Sequence, residues 1–141
     1  MWGNDGGLLW NDSYMIGVEL IDNQHKELFL NATDGLLLSI QTPDAYGHKQ
    51  YCINTINFLK GYVTRHFNDE EAYQQSIGYP GLEAHKAQHA NLALEIVNYE
   101  KRLVASNFAL PVIKTFMAFI VRWLMNHVAE EDRKIVEPRS S

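Results

Sequence analysis

Five of the six histidines in this chain recur at helical spacing inside apolar stripes, and that pattern constrains the fold more than any other feature. His66 with Glu70, and His85 with His89, are four residues apart; His127 is followed by Glu130, Glu131 and Asp132, and His25 stands alone upstream. Side chains four apart share one face of a helix, roughly 5–6 Å apart at Cβ. The apolar residues keep the same phase: Cys52, Ile56, Leu59 and Val63 run into His66 and Glu70 in alternating steps of four and three. Ionisable groups on a core face stay buried only when they are paired or hold a metal. The sequence therefore predicts helices packed around an internal metal site.

Composition narrows the class. The 141 residues are read as a single domain, 1–141, large enough for a proper core. Residues 1–19 read as an irregular arm and about 20–137 as the helical body. The net charge of −5 argues against nucleic-acid or anionic-membrane partners, which select for basic surfaces. No apolar run approaches a bilayer span, and Met1-Trp2-Gly3-Asn4-Asp5 lacks the basic start of a signal peptide. A cytoplasmic protein is the expectation. The lone Cys52 excludes an intramolecular disulfide and a cysteine-based zinc site, and reads as a small core residue.

The arm is rich in glycine, with Trp2 and Trp10 as its large anchors. Asp22 is the expected cap of a first helix with an inward stripe of Ile21, His25, Leu28, Phe29, Ala32 and Leu36. Thr42-Pro43-Asp44 breaks the chain and starts a second helix, which Gly78 and Pro80 end. The third carries Leu82, His85, His89, Leu92, Ile96, Tyr99 and Leu103. Pro111 suits the first turn of a fourth, which shows Ile113, Phe116, Ile120, Trp123 or Leu124, and His127 before Pro138 stops it. Four amphipathic helices with short connections predict an all-α, up-down-up-down antiparallel four-helix bundle.

One spacing is awkward. On a regular helix Asp132 lies about 140° around from His127, since each residue turns about 100°. Glu131 is the regular partner; Asp132 needs a π-type turn. His48 reads as solvated, and Asp69, Glu71 and Glu130 as exposed charges at helix ends. Five imidazoles exceed one tetrahedral zinc, whereas two metals sharing bridging carboxylates use the set. Imidazole suits zinc, copper, iron and nickel alike. With neutral ligands dominant, high-valent iron is weakly stabilised, which favours reversible dioxygen binding over oxidative attack.

These residues carry a resemblance. Ile21-Asp22-x-Gln24-His25-Lys26-x-Leu28, His66-Phe67-x-x-Glu70-Glu71, His85-x3-His89 and Trp123-Leu124-x-x-His127-x4-Asp132 together resemble the hemerythrins, the bacterial ones most closely. The likeness runs from about Trp10 to Ile135. It implies two iron ions joined by an oxo or hydroxo bridge. His85, His89 and His127 would hold one iron, and His25 and His66 the other, with Glu70 and Asp132 bridging. It also reverses the spacing argument, choosing Asp132 over Glu131. The implied function is a dioxygen carrier or store rather than an enzyme, with Leu28, Phe67, Trp123 and Leu124 lining a dry ligand pocket. Tyr73 and Leu92 are expected beside that pocket and to set its size. Alternatives are a sensor joined to a signalling module in a parent chain, a di-iron oxidase or peroxidase, and, weakest, metal storage. A homo-oligomer is compatible with all of them.

Overall fold

The periodic stripes fold as the helices they predict, and the departures fall where the sequence carries a local polar residue with another use. A computed structural model describes residues 10–41 and 44–135. Trp2, the Thr42-Pro43 break and the Pro138 stop lie outside those residues. A short 3-10 turn, Asp12–Tyr14, precedes α1, Glu19–Leu28, which runs through a π-helical segment, Phe29–Asp34, into α2, Gly35–Gln41. Then come α3, Ala45–Ser76, α4, Leu82–Ala105, and α5, Leu110–Asn126. The fifth helix continues as a π-helical segment, His127–Glu131, and a 3-10 turn, Asp132–Ile135.

These elements make four rods, because α1 and α2 form one continuous helix. The first third of the first rod, Glu19 to Gln41, meets the end of α3 through His25 and Glu70 at 3.1 Å, and the start of α3 meets the turn just after α4 through Lys49 Nζ and Asn107 Oδ1 at 3.3 Å. Neighbours are therefore antiparallel, and the fold is an all-α four-helix bundle. No helix among the described residues is long and apolar enough to cross a membrane.

Asp44 caps α3 by accepting from the Gly47 N–H at 2.7 Å, satisfying one of the donors a helix start leaves unpaired. Gly78, at φ 64°, follows α3 in the left-handed region that glycine enters without strain. Pro111 sits in the first turn of α5, where its missing N–H costs nothing.

The Asp22 cap is corrected. The first helix starts earlier, at Glu19 after Val18, with no side-chain cap. Asp22 is buried inside its first turns, and its two oxygens accept the Ile16 and Gly17 N–H groups at 2.8 and 3.0 Å. Its carboxylate serves the arm's backbone donors rather than the helix's own. The arm is fixed a second time by Trp10, which is buried edge-on against Tyr14 and Phe29, each at 5.5 Å.

The interior has two halves. One is apolar, with Phe29, Leu36, Ile56, Leu59, Leu103, Ile113, Phe116 and Ile120 all buried. Gly35 lets α2 approach α3 there, since a Cβ would stand 2.6 Å from Thr55 Oγ1. The other half is polar, and it is where every inward histidine lies.

Candidate metal centre

Three helix faces and one irregular helix end deliver the polar half of the core. His25 comes from α1, His66 and Glu70 from α3, and His85 and His89 from α4; His127 and Asp132 come from the end of α5. All seven are buried, and Glu70, Asp132 and His25 are fully so. They fall into two overlapping groups of candidate donors: Glu70, His85, His89, His127 and Asp132, and His25, His66, Glu70 and Asp132. Within each group the donor atoms all lie within 4.8 Å of one another.

The awkward spacing is resolved by the π-helical segment His127–Glu131. The wider turn brings Asp132 round to His127, with Oδ1 2.9 Å from Nε2. Glu131 is left half-buried, pairing with Lys134 at 3.2 Å.

The distances test whether this set fits metal. In the larger group His127 Nε2 lies 2.9 Å from His85 Nε2 and 3.1 Å from His89 Nε2. Glu70 Oε1 is 3.1 Å from both His85 and His89 Nε2, and Asp132 Oδ1 is 2.7 Å from His85 Nε2. Donors about 2.1 Å from an ion are about 3.0 Å apart at right angles and about 3.4 Å apart at a tetrahedral angle. The spacings match right angles. Glu70 Oε1 and His127 Nε2, 4.0 Å apart, match donors on opposite sides of one ion. Glu70 Oε1 accepts no hydrogen bond despite these neighbours, and nor does Asp132 Oδ2, 3.0 Å from His25 Nε2. Buried oxygens this close to nitrogens, without hydrogen-bond geometry, are what a cation between them requires.

Each carboxylate divides its oxygens. Oε1 of Glu70 and Oδ1 of Asp132 face the larger group, while Oε2 lies 3.1 Å and Oδ2 3.0 Å from His25 Nε2. His66 Nε2 is 3.6 Å from Glu70 Oε2.

Without metal, protons hold these groups together. Burial pushes His25 down, but the Asp132 and Glu70 carboxylates beside it outweigh that and raise the imidazole to about 10. His85 rises to about 9 against burial through the same two carboxylates. His127 also rises against burial, through the charge and hydrogen bond of Asp132. Burial and the nearby His25 charge push His66 down to about 3. Burial favours the neutral carboxyls, yet the histidines hold Glu70 and Asp132 well below the usual carboxylate range.

The outer nitrogens are oriented too. His66 Nδ1–H donates to Gln24 Oε1 at 2.8 Å, and Gln24 Nε2–H donates to Asp69 at 2.7 Å. His89 Nδ1–H donates to Glu71 at 2.8 Å. The expectation that Asp69 and Glu71 are merely exposed charges is therefore corrected: each is tied to a site histidine, and Glu71 directly. They flank Glu70 in sequence, so they point toward the neighbouring helices α1 and α4. The habit of metal-binding histidines to donate their other N–H to a carboxylate or carbonyl was the signal available for both. The Glu130 side chain lies outside the described residues. His48 is half-buried and away from the centre.

Beside the donors is a small cavity, bordered by His66, His127 and Asp132. Leu28, Phe67, Trp123 and Leu124 all line it, with Val63, Leu92 and Val128. Its free volume, about 10 Å³, holds about one water-sized molecule. Leu92 is in the wall as expected. Tyr73 is not; it is half-buried, and its neighbour Gln74 is the residue turned fully inward. Phe67 stacks on His89 at 3.7 Å with rings 2° apart, and Trp123 on His127 at 4.3 Å and 17°.

A helical bundle closed around histidines and shared carboxylates is a cation-binding design, and comparison with known proteins says which. The Hemerythrin HHE cation binding domain matches residues 16–137, and the chain belongs to the hemerythrin family. It is 30% identical to the bacteriohemerythrin of Clostridium acetobutylicum over 131 residues, covering 92% of this chain and 98% of that protein. It is 32% identical to the bacteriohemerythrin of Campylobacter jejuni serotype O:23/36 over 120 residues, covering 84% of this chain and 85% of that one. A third, from Stenotrophomonas maltophilia, is 30% identical over 128 residues, 89% of this chain and 77% of its own.

Proposed function

We propose that this chain binds two iron ions in the histidine–carboxylate cage and takes up dioxygen reversibly in the adjoining cavity, as a carrier or store. The observation that carries the reading is the division of oxygens: Glu70 and Asp132 each offer one to either donor group. His85, His89 and His127 would hold one ion, and His25 and His66 the other, with both carboxylates bridging. When bound, a ferrous pair supplies the electrons on which dioxygen uptake depends.

The chain's own residues do the rest. The Gln24–Asp69 link and Glu71 fix the ring orientation of His66 and His89, so that Nε2 faces inward. Donors held in this way lose little freedom on binding metal. The five donors around His85 nearly complete an octahedral set, whereas the four around His25 leave more open positions. The cavity borders His66 of that second group as well as His127 of the first, so it is the open positions that favour the second group as the ligand side. Leu28, Phe67, Leu92, Leu124 and Val128 keep the space apolar and admit one small molecule. A cavity of that size, without acid–base groups beyond the donors themselves, favours binding over catalysis.

The test is metal analysis of protein made in iron-replete cells, with visible spectra under cycles of dioxygen and argon. Two irons per chain and an absorption band that appears and disappears with dioxygen are expected. One zinc per chain would sink the di-iron reading. A band that forms once and does not reverse would sink the carrier reading and favour a sensor or an oxidase.

A further inference from the structure

Trp123 stands between two spaces. On its inner side is the small cavity beside the donors. On its outer side is a solvent-open groove of about 290 Å³, bounded by Gln88, Phe119, Arg122, Asn126 and Glu131. Trp123 and His127 line both.

The other cavity walls are less able to move. Leu28, Leu92, Leu124 and Val128 are buried in the bundle. Phe67 borders a second surface groove of about 360 Å³, but its ring is buried and lies flat on His89, which Glu71 pins from behind. Trp123 is only half-buried, its stack on His127 is looser, and the groove outside it leaves room for an indole to turn. Rotamer changes of partly exposed side chains are fast compared with ligand exchange through a closed wall.

We propose that Trp123 is the door to the ligand cavity: dioxygen and small linear anions gather in the outer groove and enter when the indole swings off His127. Arg122 and Glu131 line the groove with opposite charges, so ligands gather there for its space rather than for its charge. Trp123 thereby sets the entry rate and the size of ligand admitted. The proposal rests on the di-iron reading above.

A door changes a barrier and not the states on either side. Its removal therefore speeds entry and exit together, whatever the loss of one cavity wall does to affinity. Stopped-flow mixing of azide and of thiocyanate with the oxidised iron protein measures this in wild type, Trp123→Phe and Trp123→Ala. Trp123→Phe guards against the smaller variant failing to fold. Both azide rates should rise by about tenfold in Trp123→Ala, a modest change in barrier, and by less in Trp123→Phe. The preference for azide over the bulkier thiocyanate should shrink. A changed Kd with an unchanged entry rate would make Trp123 a wall and overturn the proposal. So would faster rates in Phe67→Leu with none in the Trp123 variants.

Zinc-loaded protein supplies a readout that needs no iron. Dissolved dioxygen, which is paramagnetic, should broaden the Leu28, Leu92 and Val128 methyl NMR signals more in both Trp123 variants than in wild type. No increase in either overturns the door. If the broadening increases while the wild-type iron protein never responds to azide, the door stands and the di-iron reading fails.

Discussion

Asp132 and Glu131 are neighbours with opposite environments, and the difference between them decides how the site is built. Asp132 is fully buried among His25, His85 and His127, whereas Glu131 pairs with Lys134 at the surface. Asp132→Ala should abolish the paired-metal spectrum and lower metal content, while Glu131→Ala should leave both nearly intact. The reverse result would place the bridging carboxylate on a regular helix. A second residue shows stability set against composition. Gln74 is fully buried, and neither amide atom has a hydrogen-bond partner among the described residues. An unsatisfied buried polar group costs about 1–3 kcal/mol, and an apolar replacement of similar shape removes that cost. Gln74→Leu should raise stability by about 1 kcal/mol by urea titration, and a clear loss would mean the amide makes a contact in solution. The inward histidines were legible in the sequence because they keep the phase of the apolar seam. Gln24, Asp69 and Glu71 were not, because a polar residue on a helix flank reads as solvated until the facing helix is known.

At the level of elements, the long helices were legible and their irregularities were not. Alternating steps of three and four marked α3 and α4 along most of their length, and every member of the predicted first-helix stripe is buried. The π-helical segment Phe29–Asp34 left no trace in that stripe, because one wider turn shifts phase by less than an apolar face is broad. The second π-helical segment was visible only as the misfit between His127 and Asp132. The start of α1 failed for a different reason: Asp22 has the chemistry of a cap but is used by the arm. Asp22→Ala removes the acceptor of two backbone N–H groups, of which Ile16 N–H is buried. The loss should cost about 1–3 kcal/mol and free the arm. Hydrogen exchange at Ile16 and Gly17 should then accelerate well beyond exchange in α4. Equal protection in variant and wild type would show that Trp10 alone holds the arm down.

Across the whole molecule, the polar half of the core makes stability depend on pH in a way that metal should reverse. In the metal-free chain His25 and His85 bind protons up to about 10 and about 9, above the ordinary 6.5 they have when unfolded. Raised imidazoles stabilise fully below about pH 6.5, and that contribution is lost as pH climbs through the folded values. His127 acts in the same sense. His66 acts oppositely: held down to about 3, it stays neutral while the unfolded chain takes up a proton, so it removes stability as pH falls below 6.5. Glu70 and Asp132, both depressed, contribute above the ordinary carboxylate range and cease to as pH falls below it. Metal-free protein should therefore have its highest Tm near pH 6.5 and lose stability steadily toward pH 10. With metal bound, the same imidazoles serve as neutral donors, so no proton is lost on raising the pH and binding itself strengthens. Calorimetry of both forms across this range should show Tm falling only in the metal-free protein. A metal-free Tm that holds steady or rises from pH 6.5 to 10 would mean that the cage is not held by protons shared between its histidines and its two carboxylates.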